Sequence, residues 1–351
     1  MNAPEPPKGL RNKLASAGGT VLALLLLVLA VWMFGRTLRQ YDLHEVVQRV
    51  GRIPVHRLAL ALLFTGLSYF FQTVYDYLSA KSVHIHIAPW RAVWAAFIGN
   101  AFTNNIGFSL LTGTSLRFRF YLAWGFSPLQ VAQFVALSKL AFVNGLFLFA
   151  GVAQIVAPVQ LPASIKLPFP QHTLGWLLVL PTLALVIWNG VSRSETLSLG
   201  KLKLVRPAQS LFILQIASAS VHFAFAAGTL YFALPAEALR DAGFANLLAF
   251  LGTFMAIKFV VMFVPVPGSL GVFEGASVAV LTPAIPAYPV LGALLAYRLI
   301  FYVVPFIFAM LMLLGYEFLS PKGLLASLLR GRKRSLTRDG NGGGKDATPG
   351  S

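Results

Sequence analysis

Apolar residues run along this chain in long blocks, with polar residues gathered in the short stretches between them. Blocks at about 58–78, 92–112, 129–157, 174–189, 208–234, 244–264 and 290–316 lie around the roughly 20 residues that an α-helix needs to cross a bilayer. An earlier block, Val21 to Phe34, follows Lys8, Arg11 and Lys13, the charge layout of a signal peptide or signal anchor. No small-x-small cleavage site follows before Arg36, so a retained first helix is expected. Residues 36 to 57 mix five arginines with Leu43, Val46, Val47 and Val50 at helical spacing, the pattern of an amphipathic helix lying on a membrane surface. The expected fold is all-α, a polytopic integral membrane protein of about seven to nine transmembrane helices.

Two blocks are interrupted. In "FVPVPGSLGVFEGA" (263 to 276), Pro265 and Pro267 stop the preceding helix, Gly268 frees the turn, and Ser269 is placed to cap a new helix. Backbone that leaves helical geometry inside a bilayer strands N–H and C=O groups, so protein must bury it or a wet cavity must solvate it. A helix starting there offers a positive dipole end to phosphate or carboxylate. Gly271 and Gly275 also form a G-x-x-x-G pair, whose plainer meaning is close helix packing. The residues alone leave both readings open. The second interruption, "GNAFTNNIGFSLLTGTSLRFRF" (99 to 120), contains Gly113 and Ser115 and ends in Arg117 and Arg119. Broken segments in the two halves of a chain point to a transport site between pseudo-repeats. "TGTSLRF" (112 to 118) and "VPGSLGVFE" (266 to 274) share a short likeness, and each break is compatible with a re-entrant segment.

Composition supports a membrane protein. Of 351 residues, 57% are hydrophobic and 11% charged, too little polar surface to cover a soluble globule. Lys and Arg number 28 against 11 Asp and Glu, a net charge of +17. A nucleic-acid binder would interleave such charge with a polar fold, so membrane phospholipids with anionic headgroups are the expected partner, and no nucleic acid. The absence of cysteine excludes disulfides, thiolate metal sites and cysteine nucleophiles. Three parts are expected: a cytoplasmic segment 1–17, a transmembrane domain 18–320, and a disordered basic tail 321–351. Seven Lys or Arg follow residue 320 and four lie in 192–207, which places both on the cytoplasmic side of a cell (inner) membrane.

Charged residues inside or near apolar blocks are candidates for function, since each costs about 2.5–3.5 kcal/mol at the centre of a span. They are Asp76, Lys139, Lys258, Glu274 and Arg298. Asp76 and Arg298 have an alternative reading as helix-end groups that reach water, and both lysines could be satisfied by carbonyls freed at the breaks. Glu274 is expected to pair with Arg298 or Lys258. Arg117 and Arg119 are expected beyond the apolar run, at the mouth of the first break, where they would meet lipid phosphate. Against Asp76 and Glu274, these five cations leave an excess of three positive charges, which suits a phosphate-bearing headgroup. His84 and His86 lack the i, i+4 spacing of helical metal ligands and read as a loop or membrane-edge pair. No G-x-S-x-G, Walker-type or D-x-D motif is present, so no cofactor and no metal are expected.

"NNIGFSLLTGTSLRFRFYLAWGFSPLQVAQFVAL", "PVPGSLGVFEGASVAVL" and "YRLIFYVVPF" together are similar to the N-terminal transmembrane region of the lysylphosphatidylglycerol synthase/flippase family, also called multiple peptide resistance factor. The resemblance covers about 20 to 320. It implies a lipid translocase that moves an anionic or aminoacylated phospholipid. The chain stops after the matched region, so the synthase domain and lysyl transfer are not implied. A membrane-embedded transferase using Glu274, an accessory subunit of a separate lipid-modifying enzyme, and an exporter of another lipid such as a hopanoid are the competing readings.

Overall fold

The structure, a computed structural model, describes residues 51, 53–106, 112–159, 170–199, 202–244, 247–263, 269, 271–282 and 284–319. The expected first helix, most of the surface stretch 36–57 and both terminal segments lie outside the described residues, as do Pro265, Pro267 and Gly268.

Prolines mark several helix starts, where the missing N–H costs nothing. Pro54 precedes α1 (Val55–Ser82) and Pro89 opens α2 (Pro89–Ile106). A short helix α3 (Gly113–Ala123) follows the first break. Ser127 then caps α4 (Pro128–Val156) through a reciprocal bond with Gln130. Pro170 precedes α5 (Gln171–Val191). Next, β1 (Thr196–Leu199) and β2 (Leu202–Val205) pair antiparallel. The second half holds α6 (Gln209–Ala233), α7 (Ala236–Asp241), α8 (Leu247–Phe263), α9 (Val272–Leu281) and α10 (Ala287–Tyr297). A π-helical turn (Arg298–Val303) joins α10 to α11 (Val304–Leu319). Among the described residues, five helices are long and apolar enough to cross a membrane: α1, α4, α5, α6 and the continuous run from α10 through α11. The small β-hairpin at 196–205 stands where the sequence pattern shows only a polar connection.

Contacts set the direction of each helix. Helix α1 packs most extensively on α6, and the pairs Arg57 with Leu234, Thr65 with Thr229 and Ser82 with Gln215 run antiparallel. Helix α2 starts beside the end of α1 and runs back along it, but stops early. Asn104 near its end donates to the Tyr69 hydroxyl at 3.1 Å, and Tyr69 is midway along α1. Helix α2 therefore ends at mid-depth, and α3 folds back against it. A methyl group added at Gly113, where α3 starts, would lie 2.4 Å from the Gly99 carbonyl. The first broken segment is thus a re-entrant hairpin, with both ends on one face of the bundle.

The second hairpin mirrors it. Helix α8 begins beside the end of α6, where Phe250 meets Tyr231, and α9 packs back on α8. Because α1 and α6 are antiparallel, their ends lie at opposite faces, and the two hairpins enter from opposite sides. Span, hairpin and span recur in each half: α2, α3 and α4 start at 89, 113 and 128, and α8, α9 and α10 at 247, 272 and 287. The shift between the sets is nearly constant, the layout of an inverted pseudo-repeat. Two apolar cores follow this division. One gathers Ile98, Phe102, Phe120 and Phe134 around the first hairpin; the other gathers Phe250, Phe254, Phe273 and Tyr297 around the second.

Candidate functional site

Charged groups cluster where the hairpins pack against their neighbouring spans. In the first half, Arg117 of α3 donates through Nη2 to Asp76 of α1 at 2.5 Å and to Asn100 of α2 at 2.8 Å. Ser138 of α4 donates to the other Asp76 oxygen. Four elements therefore meet on one carboxylate. Arg117 is 1% exposed, so it lies in the core and not at a membrane mouth as its sequence position suggests. The hairpin fold explains the difference: α3 turns back into the bundle and carries Arg117 toward α1. Gly99 and Gly113 leave room for the guanidinium, since a methyl at Gly99 would lie 2.9 Å from Nη1. Ser115 is half-buried in the first turn of α3.

Arg119, two residues further along α3, takes a different route. It forms an ion pair with Glu317 of α11 and lies 5.9 Å from the Tyr316 ring centroid. Glu317 is 3% exposed. Its place near the end of the last apolar block gives it the look of an interfacial residue, and sequence reasoning passed over it.

In the second half, Glu274 sits in the first turn of α9 and accepts from the Gly271 N–H at 3.0 Å. A carboxylate there complements the helix dipole. Arg298 donates to both Glu274 oxygens, with Nη2 at 2.8 Å from Oε2, and reaches the Ser269 carbonyl at 3.2 Å. The pair ties the end of α10 to the turn that leads into α9. Of the two partners expected for Glu274, the geometry selects Arg298. Ser269 does not cap the helix: Gly271 stands at the N-cap with φ +79°, a left-handed conformation that glycine adopts without strain. A methyl at Gly271 or Gly275 meets nothing within 4 Å, so this pair marks no tight packing among the described residues.

The π turn completes the site. Pro305 has no N–H to give the carbonyl four residues back, that of Phe301. The Tyr69 hydroxyl donates to Phe301 O at 3.3 Å, and Asn105 Nδ2 donates to the next carbonyl, Tyr302 O, at 3.1 Å. The inner end of α2 and the π turn of the second half therefore meet at mid-depth.

Arg117, Arg119 and Arg298 are thus matched by Asp76, Glu317 and Glu274. With Glu317 counted, five cations face three carboxylates and the surplus is two, not three. Among the described residues the surplus falls on Lys139, beside Ser138 on α4, and Lys258 on α8. The pseudo-repeat places these groups in register. Asn100 and Lys258 stand equally far from the starts of α2 and α8, Ser115 and Glu274 from those of α3 and α9, and Lys139 and Arg298 from those of α4 and α10. Sequence reasoning also missed Asn100, Ser138 and a buried cluster in which Ser68 meets His222 Nδ1 at 2.7 Å, with Gln72 alongside. Their signal is weak, since single polar residues on long apolar helices look like tolerated exceptions. No group of metal-ligating side chains occurs among the described residues.

Long apolar helices and two opposed re-entrant hairpins tied down by ion pairs define a multi-pass membrane protein. The profile of the family described as the lysylphosphatidylglycerol synthase TM region matches residues 20–309, and the chain belongs to that family. It is 30% identical to the uncharacterized protein slr0712 of Synechocystis over 88% of this chain and 94% of that protein. It is 21% identical to the inner membrane protein YbhN of Escherichia coli over the same shares. Phosphatidylglycerol lysyltransferase of Bacillus subtilis is 22% identical over 72% of this chain but only 29% of its own length.

Proposed function

We propose that this protein is a lipid translocase of a bacterial inner membrane, which passes the headgroup of an anionic or aminoacylated phospholipid between its two hairpins. The observation that carries this reading is that α2 of the first hairpin ends at mid-depth against the π turn, the same turn whose Arg298 holds Glu274 of the second hairpin. Transporters use such paired breaks to hold polar cargo where a continuous helix would offer only side chains. Proton-bearing and phosphate-bearing groups are costly in the lipid core. A polar path between the hairpins lowers that cost and lets a headgroup change leaflets while its acyl chains stay in lipid. The inner-membrane location is supported by the name of the Escherichia coli relative.

Purified protein in liposomes tests this. Labelled phosphatidylglycerol should equilibrate between leaflets at least tenfold faster than in protein-free vesicles, as read by a membrane-impermeant quencher. Rates equal to protein-free vesicles for phosphatidylglycerol and its lysyl ester alike would remove the proposal. The likeness to phosphatidylglycerol lysyltransferases favours a second reading, in which the chain is the membrane partner of a separate lipid-modifying enzyme. Co-purification of such an enzyme, with no lipid movement, would support it.

A further inference from the structure

Lys258 lies at mid-depth with no carboxylate partner among the described residues. Its Nζ lies 5.5 Å from the ring centroid of Phe254, 5.2 Å from Phe273, 5.8 Å from Tyr297, 5.6 Å from Phe301 and 5.9 Å from Tyr302. These rings come from α8, α9, α10 and the π turn, so the second hairpin and the span after it build one cage. The depth follows from Phe301, whose carbonyl accepts from Tyr69 at the middle of α1. Ring faces stabilise a cation without neutralising it. The nearby carboxylate, Glu274, is committed to Arg298 and to the Gly271 N–H. Lys258 is half-buried and keeps part of its surface exposed.

A second observation points the same way. The Tyr297 hydroxyl is fully buried, and no hydrogen-bond partner meets it among the described residues. Leaving such a donor unmade is costly. An ammonium without a counter-ion and a hydroxyl without an acceptor thus belong to the same cage. Both call for an oxygen that carries negative charge.

We infer that Lys258 and Tyr297 form an oxyanion site, and that it takes the phosphate of a phospholipid headgroup. The inference rests on the lipid reading above and names the headgroup atom that reading requires. One phosphodiester carries one negative charge, which matches the single ammonium. Apolar ring faces hold water away and strengthen the attraction. A lipid amine, by contrast, would have to displace Lys258 from the same faces.

The test is binding to the full chain in detergent, read by retained lipid in native mass spectrometry and by thermal stabilisation. The probes are phosphatidylglycerol, diacylglycerol, lysyl-phosphatidylglycerol and inorganic phosphate. Wild type and Lys258→Arg should retain phosphatidylglycerol, and Lys258→Gln should lose at least tenfold in apparent affinity. Tyr297→Phe should lose severalfold, with its lipid-free melting temperature unchanged or raised, which keeps the test decisive if Lys258→Gln fails to fold. Stabilisation by inorganic phosphate alone would support the oxyanion site with free phosphate as its source. Three results would overturn it: wild-type retention in Lys258→Gln or Tyr297→Phe, equal stabilisation by diacylglycerol, or a gain in lysyl-lipid retention on losing the Lys258 charge. Absence of lipid movement in wild-type liposomes with binding intact would remove the translocase reading and leave this site standing.

Discussion

At the scale of single residues, the Asp76–Arg117 pair is the sharpest case, because both partners are about 1% exposed. A buried ion pair is a poor source of net stability, yet removing one partner leaves a bare charge that typically costs about 3–5 kcal/mol. Asp76→Asn and Arg117→Gln should each lower the melting temperature strongly, and the double variant should recover part of the loss. Additive losses in a thermal unfolding series would show that the two side chains act apart. Sequence reasoning finds both residues, because charge inside an apolar block is conspicuous. It does not find their partnership, since they are 41 positions apart and their meeting depends on α3 folding back. For Glu274 the sequence narrowed the partner to Arg298 or Lys258, and only the geometry chooses Arg298, 24 positions on. The Lys258 cage was not legible, as its rings are contributed by four elements and no local pattern joins them.

At the scale of elements, glycine separates close helix packing from open turns. Gly252 on α8 faces the end of α4, and a methyl there would lie 2.0 Å from the Ala157 carbonyl oxygen. Backbone cannot yield as a side-chain tip can, so Gly252→Ala should push α8 away from α4 and cost about 1–3 kcal/mol. Gly275 on α9 has nothing within 4 Å, and Gly275→Ala should be neutral or stabilise by up to about 1 kcal/mol through helix propensity. Melting temperatures of the two variants check the contrast, and equal damage would return a packing role to Gly275. The G-x-x-x-G spelling is therefore misleading here, while Gly252 stands in no motif at all. Spelling reports which residues could approach closely; only the direction of the neighbouring helix decides which ones do. The breaks were legible for a sturdier reason, since Pro, Gly and Asn cannot all be accommodated in an unbroken span. Helix length was less informative: α2, at 18 residues and about 1.5 Å per residue, has the reach to cross most of the bilayer, and it is the contact of Asn104 with Tyr69 that shows it stopping halfway.

At the scale of the whole molecule, the re-entrant hairpins decide which connections share a face. If α2 and α3 were one interrupted span, the turn before α2 and the turn after α3 would lie on opposite sides of the membrane. As a hairpin they lie on the same side, and so does the β1–β2 connection, which α4 and α5 reach by crossing and returning. The turn between α7 and α8 then faces the other way, being reached from the β-hairpin by α6 alone. The chain contains no cysteine, so single-cysteine variants carry no background reactivity. His86→Cys, Ser127→Cys and Ser194→Cys should react with a membrane-impermeant thiol reagent from one side, and Gly243→Cys from the other. Arg193 and Arg206 flank Ser194, and because short loops rich in Lys and Arg favour the cytoplasmic side, we propose that the first set faces the cytoplasm. The end of α11 belongs there too, since Tyr316 packs on Trp94 near the start of α2, and this carries the proposed cytoplasmic placement of the basic tail. Opposite labelling of His86→Cys and Ser127→Cys would turn the first hairpin into a full span, dissolve the inverted repeat, and remove the mid-depth meeting point on which the transport reading stands. Labelling of Gly243→Cys from the same side as Ser194→Cys would instead place α6 within one leaflet, which its 25-residue length opposes.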